Sequence, residues 1–225
     1  MLREGTQVFL EFSIDGTDAG RVVIELFPDV KVGAQRFLDL AVGLGGVRYR
    51  NNKVQECAAD HVLVEPVRTL RYGQSESPIA GGETTLDLDR ELAASSRKHD
   101  AAGLVSLVVK DSRDREVTSR LMAVKGRLVS VEEDSGGERP NGTAFEITTA
   151  AAPSLDGVNL VIGRVVAGQD VVEKIRALPV VKDNSGSPFL QAGKRIGDKR
   201  ANVAERVFNR PFAKVLVKKA GVVSN

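Results

Sequence analysis

Short runs in which apolar and polar residues alternate, separated by turn signals, constrain the fold of this chain more than any other feature. The first run extends from Val8 to Ile14, and a second, from Arg21 to Phe27, follows after Asp15-Gly16. A period of two places one face of a strand in a core and the other face outward. Because Asp-Gly favours hairpin turns, the N-terminal segment is predicted to form a β-hairpin.

Further strands and a few helices are predicted beyond this hairpin. Apolar residues at helical spacing predict one helix from Val30 to Ala41, ended by Gly43, and another from Gln169 to Leu178, ended by Pro179. A third helical stretch is predicted from Arg200 to Asn209. The other predicted strands run from Leu104 to Val109, Thr143 to Thr148, Asn159 to Val166 and Phe212 to Val217. Since the sequence shows neither a strand-helix-strand rhythm nor an internal repeat, we expect a mostly β fold, a closed antiparallel barrel capped by two helices.

The whole chain, residues 1–225, is expected to form one domain with two additions. Residues 47 to 110 are expected to hold irregular segments and short strands. Between about residues 110 and 140, polar flanks enclose a run from Val117 to Val131 that alternates like a hairpin, which predicts an insertion. A Gly/Ser/Pro-rich loop from Lys182 to Arg195 begins a C-terminal extension, about residues 182 to 225.

Composition excludes several classes of function. A formal charge of +2 gives no case for a nucleic-acid partner, and no apolar run is long enough to span a membrane. The single cysteine, Cys57, cannot form an internal disulfide, and its spacing to Glu56, Asp60 and His61 matches no closed zinc pattern, so we expect no metal and no cofactor. Met1 to Glu4 lead straight into a strand pattern, so the chain is expected to be cytosolic or already trimmed of a targeting segment.

Several local sequences, in this order along the chain, resemble those of cyclophilins. They are Val8 to Phe12, Ala19 to Phe27, the following helix with Phe37, Gly81-Gly82-Glu83, Gly103 to Ser106, Asn141 to Phe145 and, above all, Leu155 to Val172. The resemblance covers residues 6 to 178 with one large insertion. It implies the cyclophilin β-barrel and, for an ordinary member, peptidyl-prolyl cis-trans isomerase activity.

The C-terminal part of the chain narrows the resemblance. The segment from Ile196-Gly197-Asp198 through Arg210-Pro211-Phe212 is similar to the extension of divergent chloroplast cyclophilins of the thylakoid lumen. This implies a lumenal protein whose transit peptide has been removed. It also implies partners among proteins or proline-containing peptide segments, such as subunits of photosynthetic complexes.

The resemblance places a carboxylate where the family has its arginine. In cyclophilins that arginine lies in a Phe-His-Arg-Val segment that follows a Tyr-Lys or Tyr-Arg pair, and it donates hydrogen bonds to the prolyl segment. Aligned from Tyr49-Arg50, the segment from Val54 to Cys57 puts Glu56 at the arginine position. An ionised carboxylate only accepts hydrogen bonds, so Glu56 would repel the prolyl carbonyl.

Other groove positions are altered as well, by the same resemblance. The family's pocket phenylalanine and methionine fall on His61 and Val62, its groove glutamine on Val64, a second glutamine and phenylalanine on Ala144 and Glu146, and its tryptophan and histidine on Ser154 and Asn159. The implied groove also includes Val108, Phe145 and Leu155, although alternation places Phe145 on the core side, opposite its two neighbours.

Two functions follow from these substitutions. The first is a cyclophilin-like protein with a degraded isomerase groove, which binds proteins as an assembly or chaperone-like module. The alternative is an active isomerase with a non-standard groove, served by Arg48, Arg50, Arg68 or Arg71. Cyclosporin is expected to bind weakly or not at all, because its pocket in the family uses the replaced tryptophan and arginine.

Overall fold

A computed structural model of the protein describes residues 3–67, 84–110, 117–124, 127–134, 140–184, 186–195, 201, 204 and 207–223. The strands in chain order are β1 (Gln7–Ile14), β2 (Thr17–Leu26), β3 (Val54–Cys57), β4 (His61–Val64), β5 (Leu104–Val108), β6 (Val117–Val124), β7 (Arg127–Asp134), β8 (Phe145–Thr148), β9 (Asn159–Ala167) and β10 (Val215–Val222). The helices are α1 (Lys31–Val42), α2 (Thr85–Ala94), α3 (Gln169–Arg176) and α4 (Pro188–Arg195).

Eight of the strands form one antiparallel sheet that curls into a nearly closed barrel. Their order is β10-β1-β2-β9-β5-β8-β4-β3. The two ends of the sheet meet just before β3, where Lys53 bridges to Leu216 and the Val217 N–H donates to the Asn52 carbonyl at 2.9 Å. The mostly β, barrel-like architecture predicted from the alternation is therefore confirmed.

The barrel interior is filled by the apolar face of each strand and closed by helix α1. Phe37 of α1 packs against Tyr49 and Phe145, with ring centroids 5.1 and 5.3 Å apart, and all three rings are fully buried. Tilted and edge-on contacts of this kind add to the stabilisation from burial itself. Helix α1 ends at Gly43, which adopts a left-handed conformation with φ of 79°, as the glycine stop predicts.

Three elements differ from the sequence predictions. Helix α2 lies within the region read as irregular segments and short strands; it begins with a reciprocal capping box between Thr84 and Asp87 and buries Leu88 and Leu92. Helix α4 lies within the predicted loop from Lys182 to Arg195, and it starts at a proline, which is well suited to a first helical turn.

The last strand was also misplaced, since β10 begins at Val215 rather than Phe212 and extends to Val222 along β1. Backbone pairing with β1, seven residue pairs long, determines where it ends. The hairpin predicted within residues 110 to 140 is present as β6 and β7, which form a two-stranded sheet of their own. Half of the predicted helical stretch from Arg200 to Asn209 falls outside the described residues.

Within the described ranges, every helix is too short or too polar to cross a lipid bilayer.

Candidate functional site

Five of the residues that the sequence places in the groove lie on the outer faces of β3, β4, β5, β8 and β9: Glu56, His61, Val108, Glu146 and Asn159. Five polar side chains meet there, and we refer to them as the Glu146 cluster: Glu56, Asp60, His61, Glu146 and Asn159. Antiparallel register explains the position of Glu146, because it lies opposite Leu63 of β4 and opposite Ser106 of β5. Directly opposed residues share a face of the sheet.

Three of the predicted groove residues face the barrel interior instead. Val62 lies opposite Ile147 and Val64 opposite Phe145, and these side chains belong to the hydrophobic core. Their exposed fractions are 2% for Val62 and 0% for Val64 and Phe145. A one-residue step reverses the face of a strand, so the outward positions of β4 are His61 and Leu63. Leu63 was not among the predicted groove residues.

Glu146 is the most perturbed member of the cluster. Its side chain is 6% exposed, and its Oε2 accepts a hydrogen bond from Asn159 Nδ2 at 2.7 Å. Burial raises the pKa of Glu146 from an ordinary 4.5 to about 7; the charges of Glu56 and Asp60 act in the same direction, while His61 and the Asn159 bond oppose the rise. Near neutral pH the carboxyl group is therefore protonated in a large fraction of molecules.

Glu56, at the predicted arginine position, is held by the C-terminal part of the chain. Its Oε1 accepts a hydrogen bond from Asn209 Nδ2 at 3.1 Å, and the Cys57 N–H donates to the Asn209 carbonyl at 2.8 Å. Asn209 has a φ of 57°, a conformation that asparagine tolerates better than most residues. Sequence reasoning missed Asn209, because nothing in its local sequence indicates a contact with a strand 153 positions away.

The other titratable groups in the cluster and beside it have partners of their own. His61 Nδ1 lies 2.7 Å from Asp60 Oδ1. Cys57 points away from the cluster, with its Sγ donating to the Ile175 carbonyl at 3.5 Å, and burial raises its thiol pKa to about 12. In the part of the chain that the structure describes, no three His, Cys, Asp or Glu side chains are placed to hold a metal ion.

Four predicted positions remain: Val108, Ala144, Ser154 and Leu155. Val108 lies opposite Asn159, and its N–H donates to the Ala144 carbonyl at 3.0 Å. Ala144 and Leu155 are buried, whereas Ser154 is exposed in a short 3-10 helix, Pro153–Leu155, before β9. Ser106, opposite Glu146, was not predicted; its buried hydroxyl has no hydrogen-bond partner among the residues that the structure describes.

The arginines that the alternative function requires are placed as follows. Arg48 and Arg50 are exposed in the loop between α1 and β3, and no hydrogen bond or ion pair joins either of them to the Glu146 cluster. Arg68 and Arg71 lie outside the described residues. Among the described residues, Glu146 is hydrogen-bonded by the amide of Asn159 and interacts electrostatically with His61, Glu56 and Asp60, and none of these is an arginine.

The structure has the arrangement expected of a cyclophilin. It is an eight-stranded antiparallel barrel with a helix at its end, and outward-facing residues of β3, β4 and β8 are gathered at one place. The family model described as cyclophilin type peptidyl-prolyl cis-trans isomerase/CLD matches residues 9–192. The chain belongs to this family, as the resemblance predicted.

Three relatives in the family illustrate its range. Peptidyl-prolyl cis-trans isomerase CYP26-2, chloroplastic, of Arabidopsis thaliana is 38% identical over 225 residues, which is 97% of this chain and 70% of that protein. Peptidyl-prolyl cis-trans isomerase cyp11 of Rhizopus delemar is 29% identical, over 97% of this chain and 55% of its own length. Peptidyl-prolyl cis-trans isomerase CYP28, chloroplastic, of Arabidopsis thaliana is 27% identical, over 92% of this chain and 70% of its own length.

Proposed function

We propose that this protein is a cyclophilin with a degraded isomerase groove, which acts by binding protein segments as an assembly or chaperone-like module. Its partners are proteins or proline-containing peptide segments, and subunits of photosynthetic complexes are the class that its compartment would supply. The proposal depends on the chemistry that prolyl isomerisation requires and on the residues that now occupy the groove positions.

The position of Glu56 carries the proposal. Rotation about a prolyl peptide bond crosses a barrier of about 18 to 20 kcal/mol, and a catalyst must stabilise the twisted amide with a suitably placed donor. Glu56 supplies an acceptor, and its Oε1 is already engaged by Asn209 Nδ2 at 3.1 Å. A side chain with this contact supports a structural role for Glu56, holding residues near the C-terminus against β3.

The surroundings of Glu146 also support the proposal. Three side chains at predicted groove positions, Ala144, Glu146 and Asn159, are 8%, 6% and 3% exposed. A carboxyl group and an amide at the back of a groove make a poorer seat for a proline ring than an aromatic side chain, because polar groups bind water that the ring cannot replace. These three positions therefore offer little accessible apolar surface to a prolyl substrate.

A location in the chloroplast, and specifically in the thylakoid lumen, is part of the proposal. Two of the relatives, from Arabidopsis thaliana, carry the word chloroplastic in their names. The lumen is the finer expectation and depends on the resemblance of the C-terminal segment. Imaging of a fluorescent fusion of the complete protein, followed by protease protection of isolated thylakoids, tests both levels.

An active isomerase with a non-standard groove is the second candidate, because all three relatives described above are named isomerases. Such an enzyme would draw its donor from a residue other than Glu56. Arg48 and Arg50 are the described candidates, and Arg68 and Arg71 are those outside the described residues.

The cis/trans conversion of a proline peptide, followed by exchange NMR with the full chain, separates the two candidates. We expect the uncatalysed rate, and we expect Glu56→Arg to add little, because Glu146 still occupies the pocket. Catalysis that is lost on replacing Arg48, Arg50, Arg68 or Arg71 by alanine would overturn the proposal. Arg21→Ala is the matched control, since Arg21 is on the β1–β2 hairpin and pairs there with Glu11.

Cyclosporin provides an independent test of the same groove. The chain has no tryptophan anywhere, so the contact that the family's tryptophan makes with the ligand is absent. We expect no measurable heat of binding in calorimetry. Tight binding would contradict the assignment of Glu56 and Ser154 to the altered positions.

A further inference from the structure

A second concave surface lies beside β3, on the side where the C-terminal part of the chain packs. It is a cleft of about 150 Å³ between the start of β3 and residues 210–215, and we call it the C-terminal cleft. It is lined principally by Lys53, Val54, Arg210, Pro211, Phe212 and Lys214. This volume is below the roughly 300 to 1,000 Å³ of ordinary small-molecule sites, so the cleft suits individual side chains of a polypeptide better than a cofactor.

Three positive charges border the cleft. The head groups of Lys53, Arg210 and Lys214 form no ion pair or side-chain hydrogen bond with any described residue. Some exposed arginines elsewhere are paired: Arg97, for example, with Asp29 at 2.7 Å and Arg164 with Glu25 at 2.8 Å. The cleft thus concentrates uncompensated charge in a chain whose formal net charge is only +2.

An apolar side chain stands next to these charges. Phe212 is 74% exposed although it belongs to an ordered segment, while its neighbour Pro211 is buried. A large aromatic ring left in water beside a cleft is a feature of interaction surfaces, where aromatic side chains provide much of the binding energy.

Backbone contacts hold the wall of the cleft in place. The Phe212 N–H donates to the Pro179 carbonyl at 3.0 Å, and Pro211 bridges to Val180. At the other end, the Lys214 N–H donates to Asp15 Oδ1 at 2.7 Å, and the Lys53 N–H donates to Glu65 Oε1 at 3.1 Å. A surface that is ordered before binding loses less entropy when a partner docks.

We infer that the C-terminal cleft is a docking site for an acidic polypeptide segment that carries an apolar side chain close to its carboxylates. This inference deepens the proposed protein-binding function and names the chemistry of the partner. Charge complementarity selects the carboxylates, through Lys53, Arg210 and Lys214. Phe212 selects a polypeptide over a free anion such as phosphate, because an inorganic anion has no group to pack on the ring.

Binding of labelled synthetic peptides to the full chain, measured by fluorescence anisotropy, tests the inference. The probe peptide alternates glutamate with leucine, and its control replaces every glutamate by glutamine. We expect the acidic peptide to bind more tightly than the neutral one, with an affinity that falls as salt is added. The triple variant Lys53→Glu, Arg210→Glu, Lys214→Glu should bind about tenfold more weakly or worse.

A matched triple variant controls for the change in net charge. Lys31→Glu, Lys98→Glu, Lys110→Glu alters the net charge by the same amount at exposed positions outside the cleft, and it should bind the acidic peptide as the unmodified chain does. Circular dichroism and thermal unfolding establish that each variant is folded. Equal binding by the cleft variant, or equal loss in the control variant, would overturn the inference.

Phe212→Ala separates a polypeptide site from a general anion site. It should weaken the glutamate-leucine peptide several-fold and leave a glutamate-glycine peptide unaffected. Inorganic phosphate or vesicles containing anionic lipid that displace the peptide at comparable concentration would contradict the polypeptide assignment. The isomerase assay is independent of these measurements, so a catalytically active chain that still binds at the cleft refutes the degraded groove alone.

Discussion

Glu146→Gln is expected to make the protein more stable at neutral and alkaline pH. The change removes an ionisable group that is 6% exposed and keeps an oxygen that can accept the 2.7 Å hydrogen bond from Asn159 Nδ2. Because burial is the principal cause of the raised pKa, the folded state holds this charge at a cost that the unfolded state does not bear.

The size of the effect follows from the two pKa values. Between 4.5, the ordinary value, and about 7, the unfolded chain has released this proton while the folded chain still holds it, so stability falls as the pH rises through that window. Each pH unit of this gap is worth about 1.4 kcal/mol, which gives a penalty of about 3 kcal/mol above pH 7. Below pH 4.5 both states are protonated and the penalty disappears.

Urea unfolding of both chains at a series of pH values measures the prediction. The free energy of unfolding of Glu146→Gln minus that of the unmodified chain should rise across the window and level off above pH 7, because titrating groups that do not interact with Glu146 cancel in the difference. Glu173→Gln, at a half-exposed position on α3, should change by no more than about 0.5 kcal/mol. If the free energies of unfolding of Glu146→Gln and of the unmodified chain changed with pH in parallel, the predicted penalty for ionising Glu146 would be refuted.

Other predictions concern backbone geometry and the contacts of β3. Gly168→Ala should lower the free energy of unfolding by about 3 kcal/mol or more, because φ is 84° and a Cβ would overlap the backbone of β2. Gly157→Ala, where φ is 73° and the space is open, should lower it by only about 1 kcal/mol. Equal losses in urea unfolding would contradict this prediction. Cys57, with its pKa raised to about 12 by burial, should react with a thiol reagent only as the chain unfolds, and rapid labelling of the folded protein would count against the structure around it. Asn209→Gly should lower the free energy of unfolding by about 1 to 2 kcal/mol, because glycine tolerates the positive φ but lacks the side-chain amide that binds Glu56. A variant as stable as the unmodified chain would show that this hydrogen bond contributes nothing.

Helix α2 shows a local signal that sequence reasoning overlooked. Thr84 and Asp87 are spaced as a capping box, and the structure uses both side chains in that way. Helix α4 likewise begins at a proline in a stretch that its glycine and serine residues made look like a loop. Both helices could therefore have been predicted from the sequence, but their apolar stripes are short and the neighbouring turn signals are stronger.

The alternating pattern was sufficient to predict the barrel, the first hairpin and the core position of Phe145, since each depends on which side of its own strand a residue occupies. Local sequence was also sufficient for the family. Only the folded chain decided three other features: the face on which Val62 and Val64 lie, the contact of Glu56 with Asn209, and the raised pKa of Glu146. Each of these features depends on the pairing of segments far apart in the sequence and on the water that this pairing excludes. A short segment considered alone contains no information about either its distant partner or its exposure to water.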